Sequence, residues 1–369
     1  KILEKALSFS KADTCEINLS GYNSGNIRYA RNTVSTSGFS SNQSLAVQSS
    51  FGKKSGTATI DEFDDASLEK VVRRAEELAN LSPENPEFME PLGPQMYDES
   101  ISFSEATANI TPEYRAEVAN SSIVPADAKD VTAAGFLNDS AGFSAMINSK
   151  GLFAYNQSTD VDFTVTMRTN DGTGSGWVSR DFNDVTKFDA DEAAKTAIDK
   201  AVLSREAKAI EPGKYTVILE PAASSDLLRN MFRSLDARSA DEGRSFMSGK
   251  DGANKLGEKI VDERVNIWSD PLNPEVPTAT WNGEGQPLKK TTWLENGAVK
   301  NLAYDRFWAK EKGVDPVPFP TNVIMAGGDA SLEDLIKSTK KGILVTRLWY
   351  IRSVDPQTLL YTGLTRDGT

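Results

Sequence analysis

Guanidinium groups are the most concentrated chemistry in the stretch GKYTVILEPAASSDLLRNMFRSLDARSADEGRSFMSGK, from Gly213 to Lys250. It reads as a strand, a turn and a long amphipathic helix running into a Gly- and Ser-rich loop. Leu227, Leu228, Met231, Phe232 and Leu235 form an apolar stripe, which is expected to be core. Arg229, Arg233, Arg238 and Arg244 lie elsewhere on the helix or just after it. A planar, forked donor suits bidentate recognition of carboxylates, so these arginines are either a solvated face or a carboxylate-binding patch beside the EGRSFMSGK loop.

The chain has no histidine and one cysteine, Cys15. Ser-His-Asp and Cys-His catalysis, an HExxH zinc helix and imidazole acid-base chemistry all need the missing ring, so none operates here unless another chain supplies it. A single thiol cannot form an intrachain disulfide or a Cys-only zinc site, and it favours a reducing, cytoplasmic setting. The glycines of NDGTGSGW (Asn170 to Trp177) fall between two strands rather than at a helix start, which makes the segment a hairpin turn and not a phosphate cradle. GKDGANKLGEK lacks the Gly-Lys-Ser/Thr ending of a P-loop. Ser-x-x-Lys recurs as SFSK, SFGK and SLEK, as chance allows in a chain rich in both residues, and reads as turns or helix faces rather than a Ser-Lys dyad. Carboxylates are abundant, but no EF-hand spacing organises them around a cation. WNGEGQP reads as a structural hairpin.

The elements that must position these groups fall into blocks. Residues 1–81 begin with a short helix, continue as CEINLSG, NIRYARN, TVSTSGF and SLAVQSSFGKKSGTATI in alternating strands, and close with a helix carrying Leu68, Val71, Val72, Ala75, Leu78 and Ala79 at helical spacing. The Pro-rich segment 82–95 reads as a linker. Residues 96–210 form a second αβ unit of similar element order: a polar region around TPEYRAEVANSS, a run of strands, and the helix DADEAAKTAIDKAVLSREA. Residues 211–369 form a strand-rich C-terminal region with a last helix, ASLEDLIKSTKKG, before the strand ILVTRLWYI. The fold class expected is α+β, with largely antiparallel sheets and flanking helices.

Length and charge bound the function. A chain of 369 residues is expected to divide into two or three domains. No apolar run approaches the roughly 18 to 20 residues that span a bilayer, so no membrane role is expected. With 41 basic against 53 acidic residues, a net charge of -12 repels phosphate backbones and argues against direct nucleic-acid binding. The terminal LLYTGLTRDGT reads as a strand and an Asp-Gly turn without a return strand, so residues beyond Thr369 are expected; the start at Lys1, without Met, leaves room for a segment ahead of it.

Four blocks together carry a family pattern: NIRYARNTVSTSGFSSNQSLAVQSSFGKKSGTATI; PGKYTVILEPAASSDLLRNMF with SADEGRSFMSGK and LGEKI; WNGEGQPLKKTTWLENGAVKNLAYDR; and PTNVIMAGGDASLEDLIKSTKKGILVTRLWYI. The chain thereby resembles, over nearly its whole length, the TldD/PmbA family, often labelled modulators of DNA gyrase. The resemblance implies a metallopeptidase family in which a TldD-type subunit carries HExxxH on the helix after a VILEP-like strand, and a PmbA (TldE)-type subunit lacks those ligands and pairs with it. LLRNMFRS stands where that motif would be. Arg229 replaces the first histidine, Asn230 the glutamate and Ser234 the second histidine, and a guanidinium, an amide and a hydroxyl do not bind zinc or act as its base. The expectation is therefore a PmbA/TldE-like chain without catalytic residues or metal of its own, acting in cytoplasmic peptide processing or proteolysis beside a zinc-bearing TldD-type partner. Arg238, Arg244 and Lys250 are the candidate contacts for the peptide substrate. The alternatives are a non-enzymatic homodimer that sequesters a peptide or protein, and a peptidase with a carboxylate-only metal site.

Overall fold

Alternation of apolar and polar residues builds two strands much longer than the short ones expected. In the computed structural model, which describes residues 1–365, β1 (Thr14–Ala30) and β2 (Thr33–Phe51) follow helix α1 (Ile2–Ser8) and replace the four short strands read from the sequence. The polar, glycine-bearing middle of β1, from Gly21 to Gly25, looked like a break, yet it stays in register with β2 and continues the ladder. The turn at Gly52, which adopts a positive φ of 55°, leads into β3 (Lys54–Ile60). Helix α2 (Asp65–Leu81) follows, its N-terminus capped by the Asp64 carboxylate, which accepts from the Ala66 and Ser67 amides.

The same order recurs downstream. A short turn of helix, α3 (Glu105–Ala108), precedes α4 (Pro112–Asp127), so the polar TPEYRAEVANSS region is helical. Thr111 caps it and Pro112 occupies its first turn. Then come β4 (Val131–Asn148), β5 (Phe153–Thr169), the hairpin turn expected at 170–174, β6 (Ser175–Phe182) and α5 (Ala190–Leu203). All six strands join one antiparallel sheet in the order β3-β2-β1-β4-β5-β6, an approximate two-fold arrangement about the β1–β4 seam. That seam is paired from Glu16↔Asn148 to Ala30↔Ala134, so a single sheet crosses the boundary drawn at 82–95.

One face of the sheet carries two cores side by side. Leu3, Ile17, Leu45, Leu68 and Val72 pack under α1 and α2, while Ile27, Leu137, Phe163, Val118 and Ala197 pack under α4 and α5. Between them the Arg115 guanidinium from α4 donates to both oxygens of Asp139 on β4, at 2.6 and 2.8 Å, with both side chains buried. Glycines bring the outer helices onto the edge strands: a Cβ at Gly56 would overlap backbone atoms of Ala75 and Ala79 on α2, and one at Gly176 would overlap those of Ala197 and Ala201 on α5.

The remaining residues form the C-terminal region. β7 (Thr216–Leu219) leads into α6 (Pro221–Phe232) and α7 (Ala237–Asp241). β8 (Ile267–Ser269), β9 (Thr291–Glu295), β10 (Ala298–Val299), α8 (Arg306–Lys312), β11 (Ile324–Met325), α9 (Leu332–Ser338), β12 (Gly342–Val345), β13 (Leu348–Asp355) and β14 (Leu360–Thr365) complete the chain. A four-stranded antiparallel sheet, β10-β9-β8-β11, packs Trp293, Leu294 and Ile267 against Phe232, Leu235 and Met247. β12 pairs with β7 in parallel, and β13 and β14 form a hairpin, so the expected last strand pairs back with its predecessor. The Asp-Gly turn at 367–368 lies outside the described residues. WNGEGQP is a hairpin, with the Asn282 amide donating to the Gln286 carbonyl and Gly285 at a positive φ of 73°. Its Trp281 wedges against Met146, Leu152 and Ala154 on the other face of the large sheet. Among the described residues, no helix is long and apolar enough to cross a membrane.

Candidate functional site

The helix that opened the sequence reading is shorter than expected. α6 ends at Phe232, tightens into a 3-10 turn at Arg233–Leu235, and is followed by α7, whose N-terminus Asp236 caps by accepting from the Ser239 amide at 2.7 Å. The extended backbone of Asp236, with ψ of 116°, is what stops the helix. Of the apolar stripe, Phe232 and Leu235 are buried and Leu228 and Met231 pack against them, but Leu227 is 41% exposed and not core. The start of α6 is tied to the large sheet's helix layer: Lys200 on α5 reaches the Glu220 carboxylate at 2.6 Å, both largely buried. The Glu220 amide donates to the Val345 carbonyl.

That anchoring sets α6 along a cleft of about 730 Å³ between the two halves of the molecule. Arg229 lines it from α6 and Arg233 from the 3-10 turn that follows, Asp160 and Asp181 from β5 and β6, and Glu275 from the facing loop. Leu228, Phe232, Val276 and Phe319 supply apolar surface. Among the described residues neither arginine forms a salt bridge, whereas Glu275 pairs with Lys187, which follows β6, at 3.4 Å. Burial, followed by the charges of Asp181 and Asp162, pushes the Asp160 carboxyl up to about 6; burial and Asp181 push Asp162 up as well.

The three residues that the sequence aligns with the zinc motif, Arg229, Asn230 and Ser234, separate in space. Arg229 faces the cleft, whereas neither Asn230 nor Ser234 lines it. The Asn230 amide donates to the Asp226 carbonyl at 2.8 Å, and its own carbonyl accepts from the Tyr361 hydroxyl at 3.0 Å. Ser234 is buried in the 3-10 turn, and its carbonyl accepts from the Ser245 hydroxyl. A guanidinium, an amide held by its own helix and a buried hydroxyl do not fit zinc, and among the described residues no group of three or more His, Cys, Asp or Glu side chains is placed to hold a metal ion.

Of the three peptide-contact candidates, Arg238 is engaged in a bidentate pair with Glu87, at 2.8 and 2.9 Å, and bonded to Glu242, with its guanidinium beside Trp308. It fastens segment 82–95 to α7 and α8. Arg244 is held by Glu242 at 2.9 Å. Lys250 is exposed on a turn away from the cleft. The acidic wall escaped the sequence reading, although QSTDVDF places Asp160 and Asp162 two apart on a strand and so on one face.

Because Asp160 keeps its proton to higher pH in the folded than in the unfolded chain, the folded state binds the extra proton between the ordinary value of 3.8 and about 6, and stability falls as pH rises through that window. Burial sets this first, then Asp181 and Asp162 on the sheet; Glu275 on the loop, Arg229 on α6 and Arg233 just after it line the same cleft. Asp160→Asn is neutral throughout. Its melting temperature is therefore expected to gain on wild type as pH is raised from about 4 to about 7; a difference that stays constant across that series refutes the assignment.

A six-stranded plate carrying a strand-rich domain, with a cleft faced by the helix after β7, defines a three-part α+β protein. The chain belongs to the PmbA/TldD family: the models described as PmbA/TldA metallopeptidase domain 1, central domain and C-terminal domain match residues 15–79, 90–205 and 212–369. Its fold is similar to that of TldE from Thermococcus kodakarensis, with a TM-score of 0.86 and 20% identity, covering 99% of this chain and 86% of that one. An uncharacterized protein of Methanocaldococcus jannaschii is 26% identical over 76% of this chain and 67% of its own length. A metalloprotease of Methanothermobacter thermautotrophicus is 24% identical over 56% of this chain, and the match spans 48% of that protein.

Proposed function

We propose that this chain is the zinc-free partner subunit of a TldD-type metallopeptidase, working in cytoplasmic peptide processing or proteolysis. The observation that carries the reading is Arg229: on a family fold otherwise intact, the residue facing the cleft from the motif helix is a permanent cation, which repels a metal and attracts a carboxylate. The chain then supplies walls that hold an extended peptide, with the sheets offering edges for strand addition, while the partner cleaves.

Capture of the chain from its native extract, followed by a peptidase assay of the eluate with and without a zinc chelator, tests this. A copurifying HExxxH protein and chelator-sensitive cleavage are expected. An eluate containing this chain alone, inert toward peptides, overturns the reading in favour of a homomeric binding protein.

A further inference from the structure

The cleft holds opposite charges that do not neutralise each other. Arg229 near the end of α6 and Arg233 at its C-cap are four residues apart and both line the cleft, and both lack a carboxylate partner among the described residues, whereas Arg238 and Arg244 are consumed by Glu87 and Glu242. Across the gap, Asp181 sits opposite Asp162 in the β5–β6 ladder and one step diagonal to Asp160 on the same face, and Asp160 and Asp181 line the cleft together. Two carboxylates on one face with no cation between them repel each other, and an incoming cation relieves that repulsion. Apolar surface from Leu228, Phe232, Val276 and Phe319 lies with these two poles. A volume of about 730 Å³ suits a short segment rather than a folded domain.

We propose that this cleft is a two-point receptor for a peptide segment that carries a carboxylate and, a few residues away, a basic side chain: Arg229 and Arg233 take the carboxylate, and Asp160 with Asp181 take the cation. The inference rests on the peptide-handling reading above and adds which peptides are held. A guanidinium or ammonium fits the acidic pole better than a metal ion, since no third ligand of the usual kind joins it among the described residues. A bound cation favours the ionised form of Asp160, so affinity for the basic side chain rises with pH across the range in which Asp160 titrates.

Titration calorimetry of the purified chain with acetyl-Arg-Ala-Leu-Ala tests the assignment against two relatives of that peptide, one with citrulline in place of arginine and one with a C-terminal amide. Each change is expected to weaken binding by about tenfold, the scale of one charge-assisted contact. Arg229→Gln with Arg233→Gln is expected to erase the distinction between acid and amide while leaving that between arginine and citrulline; Asp160→Asn with Asp181→Asn should do the reverse. Equal affinity for the three peptides, binding of none, or loss of the wrong distinction overturns the two-point receptor. Equal affinities alongside a copurifying HExxxH partner defeat only this inference, whereas an absent partner with intact selectivity defeats only the partner-subunit reading.

Discussion

Arg115→Ala is expected to lower the unfolding free energy by about 3–5 kcal/mol, because it strands the Asp139 carboxylate in a site from which water is excluded. The two side chains are only 6% and 8% exposed and are joined by two bonds, so the loss is that of an uncompensated buried charge and not that of a surface pair. Their position between the two cores of one sheet face means that the plate itself should melt earlier. Denaturant unfolding followed by tryptophan fluorescence measures the effect. Replacing both members, Arg115→Leu with Asp139→Leu, should recover most of the loss, since well-packed apolar groups often substitute for a buried ion pair without net cost. A single variant within 1 kcal/mol of wild type, the exposed-pair range, would show that the site is hydrated in solution.

Alanine at Gly56 or Gly176 is the second change with a large expected effect, about 3 kcal/mol at each position, at the upper end of what overpacking costs. In both cases the added methyl meets helix backbone, which has no rotamer to yield, so α2 or α5 must lift from its edge strand. Gly93 is the control: nothing lies within 4 Å of a Cβ there, and alanine should change stability by no more than about 0.5 kcal/mol. Thermal melts of the three variants decide. Gly56→Ala melting with Gly93→Ala would mean that the strand and helix are less closely apposed than described.

The sequence was most informative where burial and periodicity coincide. α2 and α5 were legible because their buried faces are almost wholly apolar, and the hairpins because their turns are marked by Gly, Asn and Asp. α4 was not, because its buried face includes Arg115, fixed by Asp139, and Ser122, which accepts from the Tyr29 hydroxyl at 2.7 Å. Those partners lie on β4 and β1, so a reading of the helix alone sees only polarity. The long strands were divided for a related reason: the middle of β1 is polar and glycine-rich, and its continuity comes from pairing on both sides, not from its own residues. At the site, the family pattern directed attention to α6 and to Arg229, which lines the cleft. It did not reveal that Arg238 has carboxylate partners from remote and neighbouring segments, nor that Asp160 and Asp181 converge, since pairings between distant segments are fixed only by the assembled sheet.

The uninterrupted β1–β4 seam has a mechanical consequence. Residues that a linear reading divides at 82–95 behave as one board, and segment 82–95 is strapped along it by the Asn148 bond to the Leu92 carbonyl and by the Lys150–Glu90 pair. The chain passes from board to C-terminal domain once, between Leu203 and Thr216. Any widening of the cleft is then a swing about that single crossing, restrained by contacts that include Lys200 on Glu220, Lys187 on Glu275, Arg238 on Glu87, and the Trp281 wedge. With the acidic pole on the board and the basic pole on the swinging part, the jaw's opening sets the distance between its own two charges, and a peptide held as proposed would act as the pin that keeps it shut.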